Sequence, residues 1–236
     1  MQHITRGALA ASAKLTPQQL NRIQFGSYLM GCLWRAGQET GTLEVMEVRA
    51  MGHCLLAASA LVDVLHSLGH TEAAFHRSGL NLSMYRHGEL SMTATAGHPS
   101  APQNRQLWNA HMTVRWGDII LDPTFGQLQA DWNSVPLFTT FLLDRTKRAT
   151  FELYGFGEVE AFASLFWKEN DRTFAARLFR LPHKVDAATR KWRDRPDAMP
   201  ERRGRLVQRT LELVAIDALS KAGIVPREWR SEDDQA

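Results

Sequence analysis

The stretch Trp108-Asn109-Ala110-His111-Met112-Thr113-Val114-Arg115-Trp116-Gly117-Asp118-Ile119-Ile120-Leu121-Asp122-Pro123-Thr124 carries two structural signals in seventeen residues. Trp108, Ala110, Met112, Val114 and Trp116 alternate with Asn109, His111, Thr113 and Arg115, the period-two pattern of a half-buried strand. Gly117-Asp118 then predicts a two-residue hairpin loop of type II′, which prefers Gly at its first central position, and Ile119 to Leu121 supplies the return strand. With that turn, Trp116 opposes Ile119 and Asp122 falls opposite Thr113, on the face of His111 and one diagonal step from it. Diagonal neighbours lie roughly 7–8 Å apart at Cα, a span that a His and an Asp side chain bridge. A slip of one residue would send the carboxylate to the other face. Pro123 ends the strand at the edge of the pairing, where no needed donor is lost.

Upstream, Cys54, Ala57, Ala58, Leu61, Val64, Leu65 and Leu68 follow the i, i+3, i+4, i+7 recurrence of an amphipathic helix that Gly69 is placed to end. Cys54 is therefore expected in the first helical turn. There the unpaired backbone N–H groups and the positive end of the macrodipole stabilise a thiolate, and the same N–H groups can hold an oxyanion. A thiolate at a helix start, an imidazole beside it and a carboxylate that orients the imidazole are the parts of an activated thiol nucleophile. Each part has an ordinary alternative: a buried structural thiol for Cys54, a surface ion pair for His111 and Asp122.

These residues resemble the transglutaminase-like branch of the papain-like cysteine enzymes, including bacterial proteins of the transglutaminase core type. The resemblance covers about residues 50 to 127 and rests on Gly52-His53-Cys54, on Glu72-Ala73-Ala74-Phe75-His76-Arg77-Ser78-Gly79 as the strand after the nucleophile helix, on His111, and on Leu121-Asp122-Pro123-Thr124. It implies an α+β, papain/transglutaminase-like fold with the nucleophile helix packed on an antiparallel sheet. It also implies a Cys54-His111-Asp122 triad in a cysteine hydrolase of protease or amidase type, acting on a peptide, isopeptide or other amide bond. Alternative readings are an amine acyltransferase, of transglutaminase or arylamine N-acetyltransferase type, and an inactive transglutaminase-like binding domain. Phe125-Gly126 after the aspartate is similar to the arylamine N-acetyltransferases, whose Arg-Gly-Gly-x-Cys motif is missing. Leu55 stands where many transglutaminase-like relatives carry Trp, which keeps the binding-domain reading in play. The expected substrate is a peptide, a protein or a small amide, with no cofactor and no metal.

At 236 residues and 44% hydrophobic content the chain suits one ordinary domain with decoration. The expected organisation is a transglutaminase-like domain over 1–182 and a basic helical extension over 183–236 packed on it. Two cysteines, Cys32 and Cys54, form neither a disulfide framework nor a CxxC zinc spacing, which suggests a reducing compartment. The start, Met1-Gln2-His3-Ile4-Thr5-Arg6-Gly7, lacks a charged segment leading into an apolar one, and no stretch approaches a membrane span, so a cytoplasmic location is expected. A net charge of +3 is a small excess for this length. The run with Lys184, Arg190, Lys191, Arg193, Arg195, Arg202, Arg203 and Arg205 is interrupted by Asp186, Asp194, Asp197 and Glu201, and only Trp192 offers a stacking ring. A salt-bridged surface is the better reading than a nucleic-acid track.

Along the rest of the chain, Thr16 as N-cap and Pro17 at the first position predict a helix to about Trp34, with Leu20, Ile23, Tyr28 and Leu33 toward the core and Cys32 as a buried thiol. A loop over Gly37-Gln38-Glu39-Thr40-Gly41 and a short helix before Gly52 follow. Strands are predicted over 73–79, 82–85 and 90–95, the last two joined at Arg86-His87-Gly88-Glu89, and then a long loop over 97–106. The periodicity of 151–154 and 162–167 suits strand and helix alike. A final helix over 201–222 places Val207, Leu211, Val214, Ala215 and Ala218 on its apolar face. His66 and His70 have the spacing of a metal pair but read as helix-end histidines, and His53 as an exposed residue before the helix. Gln24 and Gln38 are the candidates for a second oxyanion donor.

Overall fold

In the computed structural model, residues 15–43, 53–97, 110–128, 135–143, 149–181 and 200–221 are described. They form three helices and eight strands in the order α1 (Pro17–Glu39), α2 (His53–Ser67), β1 (Ala74–Arg86), β2 (Glu89–Ala96), β3 (His111–Trp116), β4 (Ile119–Asp122), a 3-10 turn (Phe125–Leu128), β5 (Thr139–Leu142), β6 (Ala149–Leu153), β7 (Gly157–Glu169), β8 (Arg172–Phe179) and α3 (Pro200–Lys221). The class is α+β, with one antiparallel sheet in the order β5-β4-β3-β1-β8-β7-β6 and β2 paired to β1.

The sheet is organised around β1. Its first half, Ala74 to Ser78, pairs with β3, and its second half, Gly79 to Arg86, is flanked by β2 and β8. Gly79 marks the change of partners. A Cβ there would collide with the ring of Phe179, so only glycine admits that ring against the strand. The sequence expectation of two strands broken near Gly79 is corrected to one continuous strand. Segments 151–154 and 162–167, open between helix and strand in the sequence, fall largely in β6 and β7.

Residues directly opposite one another across paired strands project to the same face, and each face buries its own core. Met112, Val114, Trp116, Ile119 and Leu121 face α1, α2 and α3. Leu80, Leu82, Ile120, Phe141, Leu165, Phe174 and Leu178 face a second core enclosed by the sheet itself. His111, Thr113, Asp122, His76 and Ser78 share the latter face by register.

Helix α1 begins with a complete capping box, Thr16 accepting from Gln19 N at 3.1 Å while Gln19 Oε1 accepts from Thr16 N at 2.9 Å. It runs through Gly37 to Glu39 where a loop was expected, because the chain folds back and the Thr42 and Leu43 N–H groups both donate to the Gly37 carbonyl, at 2.9 and 3.2 Å. Leu20 is 41% exposed rather than buried. The first turns of α1 overhang the β3–β4 hairpin, where Gln19 Nε2 donates to Asp118 at 2.6 Å and Arg22 lies over the Trp116 ring.

Helix α3 packs on α1 and α2 through Leu206, Thr210 and Leu213, with Val207, Leu211 and Val214 beside them, whereas Ala215 and Ala218 are exposed. The face is rotated from the expected one because Thr210 is buried, its hydroxyl satisfied by the Leu206 carbonyl at 2.7 Å. Arg202, Arg203 and Arg209 bind inward, to the Thr42 carbonyl, Asp63 and Glu39. The helix expected before Gly52, the loop after Gly97, Trp108, Asn109 and residues 182–199 lie outside the described residues. Among the described residues, no helix is long and apolar enough to cross a membrane.

Candidate active site

The β3–β4 hairpin has the register that the type II′ turn requires: Trp116 opposes Ile119, Arg115 opposes Ile120 and Val114 opposes Leu121. Gly117 has φ +66° while Asp118 keeps a negative φ, the combination of that turn. His111 opens β3 and Asp122 closes β4, so both stand at the end of the hairpin remote from the turn. There His111 Nε2 donates to Asp122 Oδ2 at 2.6 Å, with both side chains wholly buried.

Asp122 is itself held. Its Oδ1 accepts from the Thr124 N–H at 3.1 Å, closing a small turn around Pro123. The Pro123 carbonyl accepts from the indole Nε1 of Trp34 at 2.6 Å, tying the turn to α1. In the sequence Trp34 marks only the expected end of the first helix. A Trp on a buried helix face needs an acceptor for its N–H, and that requirement was the available signal.

Cys54 is in the first turn of α2, 2% exposed. Cys54 to Ala58 are all buried because α2 is enclosed by the sheet and by α1 and α3, as suits a helix apolar on nearly every side. The Cys54 side chain is hydrogen-bonded to His111. Burial by itself would push the imidazole down. The Asp122 charge, the Asp122 hydrogen bond and the hydrogen bond and charge of Cys54 outweigh it and hold His111 up at about 10, so the ring is an imidazolium at neutral pH. With Nε2 committed to Asp122, Nδ1 is the ring nitrogen that exchanges a proton with the sulfur. His111 thus stands between thiol and carboxylate. Among the described residues, no three His, Cys, Asp or Glu side chains converge as metal donors.

The other residues singled out in the sequence lie elsewhere. Gln24 and Gln38 are exposed on α1, Gln24 lining a cleft of about 400 Å³ between α1 and α3, and neither belongs to this site. His66 Nε2 donates to the Ala73 carbonyl at 2.7 Å, and His70 packs edge-on against Phe25 and tilted against Trp116. His53 is half-buried rather than exposed. Cys32 is buried beside Tyr28, and burial pushes its thiol up, the condition of an unreactive cysteine.

Two buried hydroxyls near the pair carry no sequence signal. Ser78, directly opposite His111, and Thr124, two residues past Asp122, each bury their oxygen with no hydrogen-bond partner among the described residues.

Compared with known proteins, the chain matches no family model, no curated protein and no solved structure.

Proposed function

We propose that the chain is a cysteine-dependent acyl-transfer enzyme of the transglutaminase-like type, and that it hydrolyses an amide bond in a peptide, an isopeptide or a small amide. One observation carries the reading: a buried imidazole, paired with a buried carboxylate at 2.6 Å, has a helix-start thiol as its second side-chain partner.

In this reaction the Cys54 sulfur attacks the carbonyl carbon and the new S–C bond forms as the oxygen takes up the carbonyl electron pair. The first-turn N–H groups of α2 stabilise that oxyanion. His111 gives its proton to the nitrogen as the C–N bond breaks, and the amine leaves. Neutral His111 then removes a proton from water, whose oxygen attacks the thioester; the acid departs and the thiolate–imidazolium pair is restored. An amine in place of water gives acyl transfer from the same intermediate. Asp122 keeps Nε2 protonated and the ring oriented throughout.

The 2% exposure of Cys54 favours a second reading, a transglutaminase-like domain that binds a partner and does no chemistry. Alkylation separates them. Cys54 alkylated well below the ordinary thiol pKa of about 8.5, at a rate that falls in His111→Ala, supports the enzyme. Cys54 reacting as slowly as Cys32, in wild type and variant alike, sinks it.

A further inference from the structure

Several groups on the face of the sheet that carries His111 and Asp122 reach solvent or lack a partner, and they share one chemistry. Ser78 opposes His111 across β1 and β3, and His76 opposes Thr113. One step beyond the last pair of β1 and β8, Arg180 continues the register and comes opposite Ser78 on its other side. Arg115 follows His111 and Thr113 along the same face of β3. The rows read Arg180, Ser78, His111 and then His76, Thr113, with Arg115 flanking them.

Arg115 and Arg180 are exposed, and neither enters an ion pair among the described residues; Arg115 Nε donates only to the Gly117 carbonyl, at 3.2 Å. Their charges, with that of Arg77, reach His76, which burial first and these guanidinium groups next hold down at about 4. His76 is therefore neutral at physiological pH and adds no charge of its own. Beside Arg180, the buried Ser78 hydroxyl is unpartnered among the described residues. An apolar wall completes the surface. Phe162 is the extra residue where the β7–β8 pairing shifts between Ala161 and Ala163, and its ring meets the His76 ring edge-on at 5.0 Å. Such bulges re-aim side chains beside functional sites.

We propose that Arg180 with the Ser78 hydroxyl beside it, and Arg115 further along the same face, form a subsite for the anionic group of a carboxylate-bearing acyl donor. This rests on the reading of Cys54 as the nucleophile and adds the substrate's charge to it. Cations with no acidic partner beside a low-dielectric wall raise the local concentration of an anion and orient it, and a buried hydroxyl left unpaired gains a bond when the ligand arrives.

The test compares alkylation of Cys54 in the full chain by iodoacetate and by iodoacetamide, two reagents of one mechanism in which the sulfur–carbon bond forms and iodide leaves, differing in charge. The iodoacetate-to-iodoacetamide rate ratio is expected to fall about threefold or more in Arg115→Gln/Arg180→Gln, through the loss of two positive charges, the neutral reagent correcting for any change in the thiol itself. The Arg180→Lys variant keeps most of the preference, and 0.5 M salt weakens it in wild type. A ratio identical in wild type and the double variant overturns the anionic subsite and leaves the nucleophile standing. Slow reaction with both reagents, indifferent to His111→Ala, overturns the nucleophile and the subsite with it.

Discussion

The indole of Trp34, on α1, donates to the carbonyl of Pro123 at 2.6 Å. This bond runs from α1 to the turn that carries Asp122, and it passes the rigidity of the helix to the carboxylate hydrogen-bonded to His111. Replacing Trp34 by Phe keeps the ring and removes the donor, leaving a buried carbonyl unpaired at a cost of about 1–3 kcal/mol. The expected result is a folded protein with a lower urea midpoint and slower alkylation of Cys54. A variant of reduced stability whose Cys54 rate is unaltered would show that the bond supports the fold alone.

Asp122→Ala leaves a buried imidazole without its counter-charge. Breaking one side of a buried ion pair costs about 3–5 kcal/mol, and the Cys54 alkylation rate at neutral pH should drop with the loss of the imidazolium. Asp122→Asn, which keeps the shape, should be less destabilising and equally slow. Urea unfolding and peptide-resolved alkylation measure the two effects separately.

The pairing of His111 also predicts a pH profile. Its folded value, about 10, lies above the ordinary 6.5, so the folded state binds the proton more tightly than the unfolded state does. The resulting stabilisation is complete below 6.5 and is lost as the pH rises through about 10. The stability gap between wild type and Asp122→Asn should therefore be widest near pH 6 and close toward pH 10. A gap independent of pH would contradict a charged His111.

His76 works in the opposite sense. Burial, then Arg115, Arg180 and Arg77, hold it at about 4, below the ordinary 6.5, so the unfolded state binds its proton first. Its contribution is complete above 6.5 and is lost as the pH falls toward 4. His76→Gln removes a titrating group from this interval, and its thermal midpoint should fall less than that of wild type between pH 6.5 and pH 4 by several degrees. Parallel curves would reject this account.

At the junction of β1 with β8, Gly79→Ala places a methyl group against the ring of Phe179, which is fully buried. Overpacking of this kind costs about 1–3 kcal/mol. Phe179→Leu made in the same chain should return part of that loss. Simple addition of the two single effects in a double-mutant cycle would place the strain elsewhere.

The sequence by itself determined the β3–β4 hairpin and with it the meeting of His111 and Asp122. A two-residue turn sets register locally, and period-two alternation then assigns every side chain to a face. The start of α1 was equally legible, since the Thr16, Pro17 and Gln19 signals act within four residues. Tertiary structure alone decided the rest. The approach of Cys54 to His111, the Trp34 bond to Pro123 and the opposition of Ser78 to Arg180 join elements remote in the chain, whose packing leaves no local pattern. The continuity of β1 through Gly79 depends on Phe179 arriving a hundred residues later, and the burial of Thr210 depends on α1 and α2 packing against that face of α3. Local chemistry sets turns, caps and faces; which faces meet is settled by burying apolar surface across the whole chain, and that sum cannot be read from any one segment.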